Sequence, residues 1–317
     1  MRRVVSAVLV LIGVFCLVLA GLLAFWAPSH AVKTPLNLNI KQVATGPAKI
    51  LNSATGQVDD TQLIATRRVR TDSAASDSKV TVIQETLCIV KDVDNPPECV
   101  DKDDAQGRLV SFTSDRVAAD RKTAESVNDA KYQENINGAS AKHTGLTYKF
   151  PFDAKKQSYP FFDPNSQQAP EAKYLGTEKL LGLNLYKYEA VISGADVEVG
   201  PGIPGKYDDT RTVWVDPKTG TIVKGIEHQV RTLTTGETAL DTTLTFDAAS
   251  QKYQADFAKD GRRKILLLTV LVPVIAAIVG LIALIAGLLM ARSTPDEGPA
   301  GPVEPDQSDE PLPGGRH

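Results

Sequence analysis

The sequence predicts a mainly β (α+β) protein, a β-rich exported domain carried between two transmembrane helices. Three observations lead there. Two long stretches, residues 4–26 and 265–291, carry no charged side chain, although 23% of the 317 residues are charged. The segment between them is punctuated by runs rich in Val, Ile, Thr and Tyr bounded by Gly, Pro or Asp. Only three cysteines and a net charge near −3 set aside a disulfide-rich miniprotein and a basic nucleic-acid binder.

The first apolar run, Val4 to Trp26, follows Met1, Arg2 and Arg3 and has 23 residues, enough to cross a hydrocarbon core of about 30 Å at roughly 1.5 Å per residue. A cleaved signal peptide usually has an apolar stretch of only about 7–15 residues, so the length favours an uncleaved signal anchor. The small pair Ser29 and Ala31 is the feature that would suit cleavage. Trp26 suits the membrane interface.

The second run, Ile265 to Ala291, contains Pro273, Gly280 and Gly287, which membrane helices tolerate. Small residues recur at Ala276 and Gly280, at Ala283 and Gly287, and at Ser6, Gly13 and Ala20. Such spacing would let the two spans pack closely, unless it reflects only the abundance of Ala and Gly in membrane helices. Arg2 and Arg3 place the N-terminus in the cytoplasm, export residues 32–261 and return the C-terminus inside. Arg262, Arg263 and Lys264 then fall on the outer side, against the positive-inside rule, where anionic headgroups would receive them. Residues 293–317 hold six prolines and six acidic groups and read as a disordered cytoplasmic tail.

Within residues 32–261, strands are expected at Lys79–Val90, Leu183–Ile192, Thr210–Val215, Thr221–Val223, Ile226–Thr234 and Thr242–Phe246. Asp115–Asn135 has the polarity of a surface helix but too few apolar residues for a core-facing stripe. A local echo favours strands there too, joined as hairpins. Asn52 to Gly56, Asp120 to Ala124 and Asp216 to Gly220 share an Asx residue that can accept backbone N–H groups and, four residues on, a position for a left-handed residue. Ala124 is the costly member of the set, because a Cβ is strained at positive φ.

Cys88 and Cys99 enclose ten residues, and Cys16 lies in the first span. In an oxidising exterior the first two are expected to form a disulfide; the alternative, a reactive thiol pair, lacks the CxxC spacing. Gly200-Pro-Gly-Ile-Pro-Gly205-Lys206 approaches a phosphate loop, but Tyr207 replaces the hydroxyl residue and two prolines remove N–H donors. Asp101 to Gly107 begins like a calcium loop, with Ala105 at the fifth position and Phe112 where the bidentate Glu belongs. His30, His143, His228 and His317 share no ligand spacing, and neither GxSxG nor HExxH occurs. No enzyme, metal or cofactor is expected.

Six of the 19 aromatic residues, Tyr148, Phe150, Phe152, Tyr159, Phe161 and Phe162, lie within 15 positions. They are candidates for contact with lipid along an apolar lip or tunnel wall, with ordinary core packing as the other reading. With Thr66-Arg-Arg-Val-Arg70, Gly145-Leu-Thr-Tyr-Lys-Phe-Pro-Phe152, Tyr159-Pro-Phe161, Tyr186-Lys-Tyr-Glu189 and Thr212-Val-Trp-Val-Asp-Pro-Lys-Thr-Gly220, the chain resembles the actinobacterial porin A (PorA) family. It departs from that family at Asn128-Asp129, where many relatives carry paired cysteines. The resemblance implies water-filled channels in a mycolate-rich envelope. The layout is also similar to the scavenger-receptor class B family, whose ectodomains conduct lipid. The function expected is therefore envelope transport, as a porin-like channel or a lipid-conducting ectodomain, in the cytoplasmic membrane with the main domain exported. Membrane lipids are the expected partners, with other envelope proteins or a second copy possible and nucleic acid not. A structural, protein-binding envelope component is the alternative.

Overall fold

Backbone hydrogen bonding organises most of the chain into one antiparallel sheet of ten strands: β1 (Asn39–Leu51), β2 (Val58–Asp72), β3 (Val80–Lys91), β4 (Leu109–Asp120), β5 (Tyr159–Pro160), β6 (Glu171–Leu180), β7 (Leu183–Gly200), β8 (Ile203–Val215), β9 (Ile222–Leu233) and β10 (Thr238–Phe246). The computed structural model describes residues 2–30, 32–52, 55–132 and 142–292. The acidic tail, residues 293–317, and residues 53 and 54 of the first turn lie outside the described residues, as does Ala31. The described chain divides into two units, Met1–Ala24 with Leu271–His317, and Phe25–Val270.

The sheet order is β4-β3-β2-β1-β10-β9-β8-β7-β6-β5. Sequential hairpins build both halves, and β10 returns to pair with β1, Thr45 opposite Thr245 and Ile50 opposite Leu240. Its two edges are then linked by single bridges. Ala119 of β4 pairs with Ser126, Glu125 with Leu146, and Leu146 with Phe161, next to β5. The hydrogen-bonded path thus returns on itself, so that edge groups which would otherwise face water are paired at that end.

The expected strands lie within β3, β7, β8, β9 and β10, which run longer than the apolar runs alone suggest. The Gly200–Lys206 sequence is the tip of the β7–β8 hairpin, where Gly200 opposes Ile203. The Asx turns at Asp120 and Asp216 form, and in the first turn the Gly56 N–H donates to the Asn52 carbonyl at 2.8 Å. Gly56 and Gly220 take φ of 69° and 73°, and Ala124 takes 62°. Asp120 Oδ1 accepts the N–H groups of Lys122 and Thr123 at 2.8 Å each, so the Asp115–Asn135 stretch begins as the end of β4 and passes into a turn, while residues 133–135 lie outside the described residues. In the acidic 101–107 loop, Asp104 is committed to Arg108, whose Nε and Nη2 donate to it at 3.0 and 2.6 Å.

Cys88 on β3 is joined to Cys99 across a Cα separation of 5.7 Å. Next to it, Glu98 receives both Lys41 and Arg68. Because the bridge closes a short loop, replacing both cysteines by alanine is expected to lower stability by about 2–3 kcal/mol. Urea midpoints with and without reductant check this, and a reductant-insensitive wild type would refute it.

The helices are α1 (Arg2–Phe25), the short α2 (Ala27–His30), α3 (Ala248–Leu266) and α4 (Val272–Arg292), with a π-helical turn at Leu267–Leu271 between the last two. Both α1 and the α3–α4 stretch are long and apolar enough to cross a membrane. In their unit the small residues do meet. Ser6, Gly13 and Ala20 are buried on α1, and Gly280, Ala283 and Gly287 on α4. Ser6 Oγ donates to the Gly287 carbonyl at 2.8 Å, and a Cβ on Gly13 would stand 2.7 Å from the Leu284 nitrogen. Close backbone approach of this kind is how apolar helices associate without a hydrophobic driving force.

The helix that leads into the second apolar run, α3, starts well before it, at Ala248. Asp247 caps it by accepting from the Ser250 N–H at 2.7 Å. Ala255 and Ala258 then pack on Leu183, Leu185, Trp214 and Val223 of the sheet. Small residues let α3 lie against the strands, so the helix carries no bulky stripe in its sequence.

Candidate functional site

Residues 142–163 leave the sheet as an irregular segment that crosses between its edges, and three backbone attachments fix the aromatic side chains it carries. The N–H of Leu146 donates to the Pro160 carbonyl at 2.8 Å, that of Phe162 to Leu146 at 2.7 Å, and that of Phe150 to Gly220 at 2.9 Å. Gly220 belongs to the Asp216 turn, whose carboxylate is fully buried and accepts from Thr219 Oγ1 and Arg262 Nε, each at 2.7 Å. Sheet, turn and α3 are thereby tied to the same few residues.

The six aromatic candidates separate into three sets. Phe150 is fully buried and stacks on Tyr188 at 4.6 Å and Phe161 at 5.5 Å, with Tyr159 edge-on at 5.6 Å. Phe150 and Tyr159 line neither of the two interior cavities described next; their surfaces are spent on this aromatic core, and Tyr159 Oη accepts the Lys155 N–H at 2.8 Å. Phe161 and Phe162 face the interior of the curled sheet, a cavity of about 150 Å³. Tyr148 and Phe152 line a second cavity, of about 280 Å³, against α3. Gln42 and Ile222 border both cavities, so the two adjoin.

The first cavity is walled by β1, β2, β3, β4, β8, β9 and β10, and its largely apolar surface is interrupted by five charged side chains, Arg67, Glu85, Asp115, Arg211 and Glu227. Arg67 holds Glu85 through Nε and Nη2 at 2.5 and 2.6 Å. Arg211 Nη2 donates to Asp163 and to Glu227 at 2.9 Å each and stands 3.7 Å from Asp209. Burial pushes the Asp209 carboxyl up, and Glu227 adds to the effect. Burial opposes the charge on Arg211 as well, but its three carboxylate neighbours outweigh that and keep it protonated. His143, itself buried, places Nε2 2.7 Å from Asp115 and its ring 4.8 Å from Phe162. None of these acids and bases was visible as a motif, since they come together from strands far apart in the chain.

The second cavity is chiefly apolar, with Leu38, Ile40, Val69, Tyr148, Phe152 and Phe257 in its wall. Lys33, Asp260 and Lys264 also border it, beside Ile265, the first residue of the apolar run. Lys149 enters this wall with its Nζ 3.6 Å from the centre of the Phe152 ring and 3.5 Å from Thr34 Oγ1. Burial lowers its ammonium to about 7, and Asp216 pulls weakly the other way. Sequence reading passed over Lys149, one of three lysines in the aromatic stretch.

Among the described residues, no group of three or more His, Cys, Asp or Glu side chains is placed to hold a metal ion. The features that stand out are instead two adjoining, largely apolar cavities, the first crossed by ion pairs, both lined by the segment that carries the family resemblance. A family model described as Porin PorA matches residues 5–289. A Porin PorA of Corynebacterium amycolatum is 24% identical over 298 residues, covering 72% of this chain and 75% of that protein. A Porin PorA of Corynebacterium resistens is 24% identical over 278 residues, covering 58% of this chain and 67% of the other. The match takes in both apolar helices and the whole sheet, and the chain belongs to the Porin PorA family.

Proposed function

We propose that this protein serves envelope transport by receiving an amphiphilic envelope molecule in its β-rich unit, which is exported while α1 and α4 span the cytoplasmic membrane with both termini inside. The observation that carries this reading is the apolar cavity of about 280 Å³ beside Tyr148 and Phe152, adjoining a second of about 150 Å³. Together they approach the size of small-molecule sites, about 300–1,000 Å³. The rim at Lys264 and Ile265 lies where the chain itself turns apolar.

A wide aqueous pore through a single copy fits less well. The interior of the sheet is occupied by the Arg67–Glu85 and Arg211–Glu227 pairs together with Phe161 and Phe162, and two helices cannot surround a channel. Transport needs no covalent chemistry, which agrees with a non-enzymatic role. Membrane lipids are the natural partners of such a cavity.

Full-length protein extracted in mild detergent should therefore carry lipid that mass spectrometry detects. Filling the wall by Ile40→Trp should reduce that lipid at least fivefold, while planar bilayers containing the wild type show no large conductance steps. Lipid-free wild type with stable open-channel currents would overturn the proposal in favour of an oligomeric pore.

A further inference from the structure

We propose that Lys149 makes the apolar cavity a binding site for the carboxylate of a single-chain anionic amphiphile, its hydrocarbon chain lying against Tyr148, Phe152 and Phe257. This inference rests on the reading above that the cavity takes up an amphiphile, and adds which headgroup it selects.

The first argument is charge. No carboxylate among the described residues lies within ion-pair distance of Lys149 Nζ, which instead meets the face of Phe152 and the Thr34 hydroxyl. Asp216, the acid that acts on it electrostatically, is already held by Arg262 and Thr219. A cation in an apolar wall is costly unless it meets a counter-charge. The lowered basicity of Lys149 reports that cost in the free protein. A bound carboxylate removes the deficit, because a charge-assisted hydrogen bond is strongest where water is scarce.

The second argument is stoichiometry and space. One lysine balances one negative charge, and Thr34 Oγ1, 3.5 Å from Nζ and 3.4 Å from Tyr148 Oη, stands where it can donate to the second carboxylate oxygen. A two-chain phospholipid would exceed a cavity of about 280 Å³. The walls offer Leu38, Ile40, Val69 and Phe257 to a chain, with Gln42, Gln254, the Tyr148 hydroxyl and threonine side chains as neutral polar groups. Lys33 and Lys264, with Asp260, border the same cavity, but Lys33 Nζ donates to the Ser78 carbonyl at 2.8 Å.

The test uses the full chain in lipid nanodiscs and two probes, a diazirine-bearing palmitic acid and its methyl ester, with crosslinked peptides identified by mass spectrometry. The acid should label the peptides containing Tyr148–Phe152 and Phe257–Ile265 at least tenfold more than the ester. Lys149→Met should bring acid labelling down to the ester level, and Lys149→Arg should retain most of it. The methionine variant removes a poorly solvated charge without shortening the side chain, so it should melt no lower than the wild type, which separates lost binding from lost folding. Equal labelling by both probes, unchanged in Lys149→Met, would overturn the carboxylate assignment while leaving amphiphile uptake standing. No cavity labelling by either probe would overturn both.

Discussion

Replacing Arg211 by methionine is expected to destabilise the β-rich unit by about 3–5 kcal/mol near pH 8, the cost of leaving buried charge without its partner. Arg211 is the shared cation of Asp163, Asp209 and Glu227, and Asp163 and Asp209 are 1% and 3% exposed. Methionine keeps much of the volume, so the loss reports electrostatics rather than a cavity. The pH dependence follows from the direction of the Asp209 shift. Its folded-state pKa is raised, first by burial and then by Glu227, so the folded state holds a proton that the unfolded state has released. Stability from this group therefore falls as pH rises from the ordinary carboxylate value towards the raised one. Arg211 favours the ionised forms of Asp209 and Glu227, so without it these groups take up protons more readily as pH falls, and the deficit should be largest near pH 8 and shrink towards pH 5. Arg211→Lys, which keeps charge but loses the guanidinium fork, should fall between the two. Urea unfolding at both pH values measures this; a methionine variant as stable as the wild type at pH 8 would show that the cluster is not held by its arginine.

The same cluster explains why parts of the fold were hard to read. The strands at Val80–Lys91, Leu183–Gly200 and Ile203–Val215 carry enough Val, Ile, Thr and Tyr to announce themselves. β1 and β2 do not. Their cavity-facing positions include Gln42, Ala44, Ala65 and Arg67, so the usual apolar-in, polar-out alternation is muted where the interior is itself ionic. β4 is similarly masked by Ser111, Thr113 and Asp115. The amphipathic start of α3 was missed because its buried face is Ser250, Gln254, Ala255 and Ala258, small or polar residues that make no hydrophobic stripe. Local signals were easier to read: the Asx turns at Asp120 and Asp216, one cysteine pair and the small residues of α1 and α4 each depend on neighbours in sequence or on one helical face. The aromatic segment was visible as composition, but its division between core and cavity depends on the distant Gly220 and Tyr188. Lys149 stands out only once that packing is known.

Gly220→Ala tests whether this tertiary docking, and not the turn alone, seats the site. At φ of 73° an added Cβ costs about 1–2 kcal/mol by itself. Here it would also press into the carbonyl oxygens of Phe150 and Pro151, backbone atoms that cannot rotate away, and such overpacking typically adds about 1–3 kcal/mol. A matched control lies at the tip of the β7–β8 hairpin, where Gly202 has φ of 71° and open space around the corresponding Cβ. Gly202→Ala should lose only the conformational cost, whereas Gly220→Ala should lose about 3 kcal/mol or more. The difference measures the contact between the Asp216 turn and the aromatic segment. Because Phe150 donates its N–H to Gly220 at 2.9 Å and Lys149 precedes it, displacing that segment also moves the ammonium out of the cavity wall. Gly220→Ala should therefore lose acid-probe labelling even under conditions where it remains folded, while Gly202→Ala retains it. Equal destabilisation of the two variants with labelling intact in both would mean that the Asp216 turn does not hold Lys149 in place.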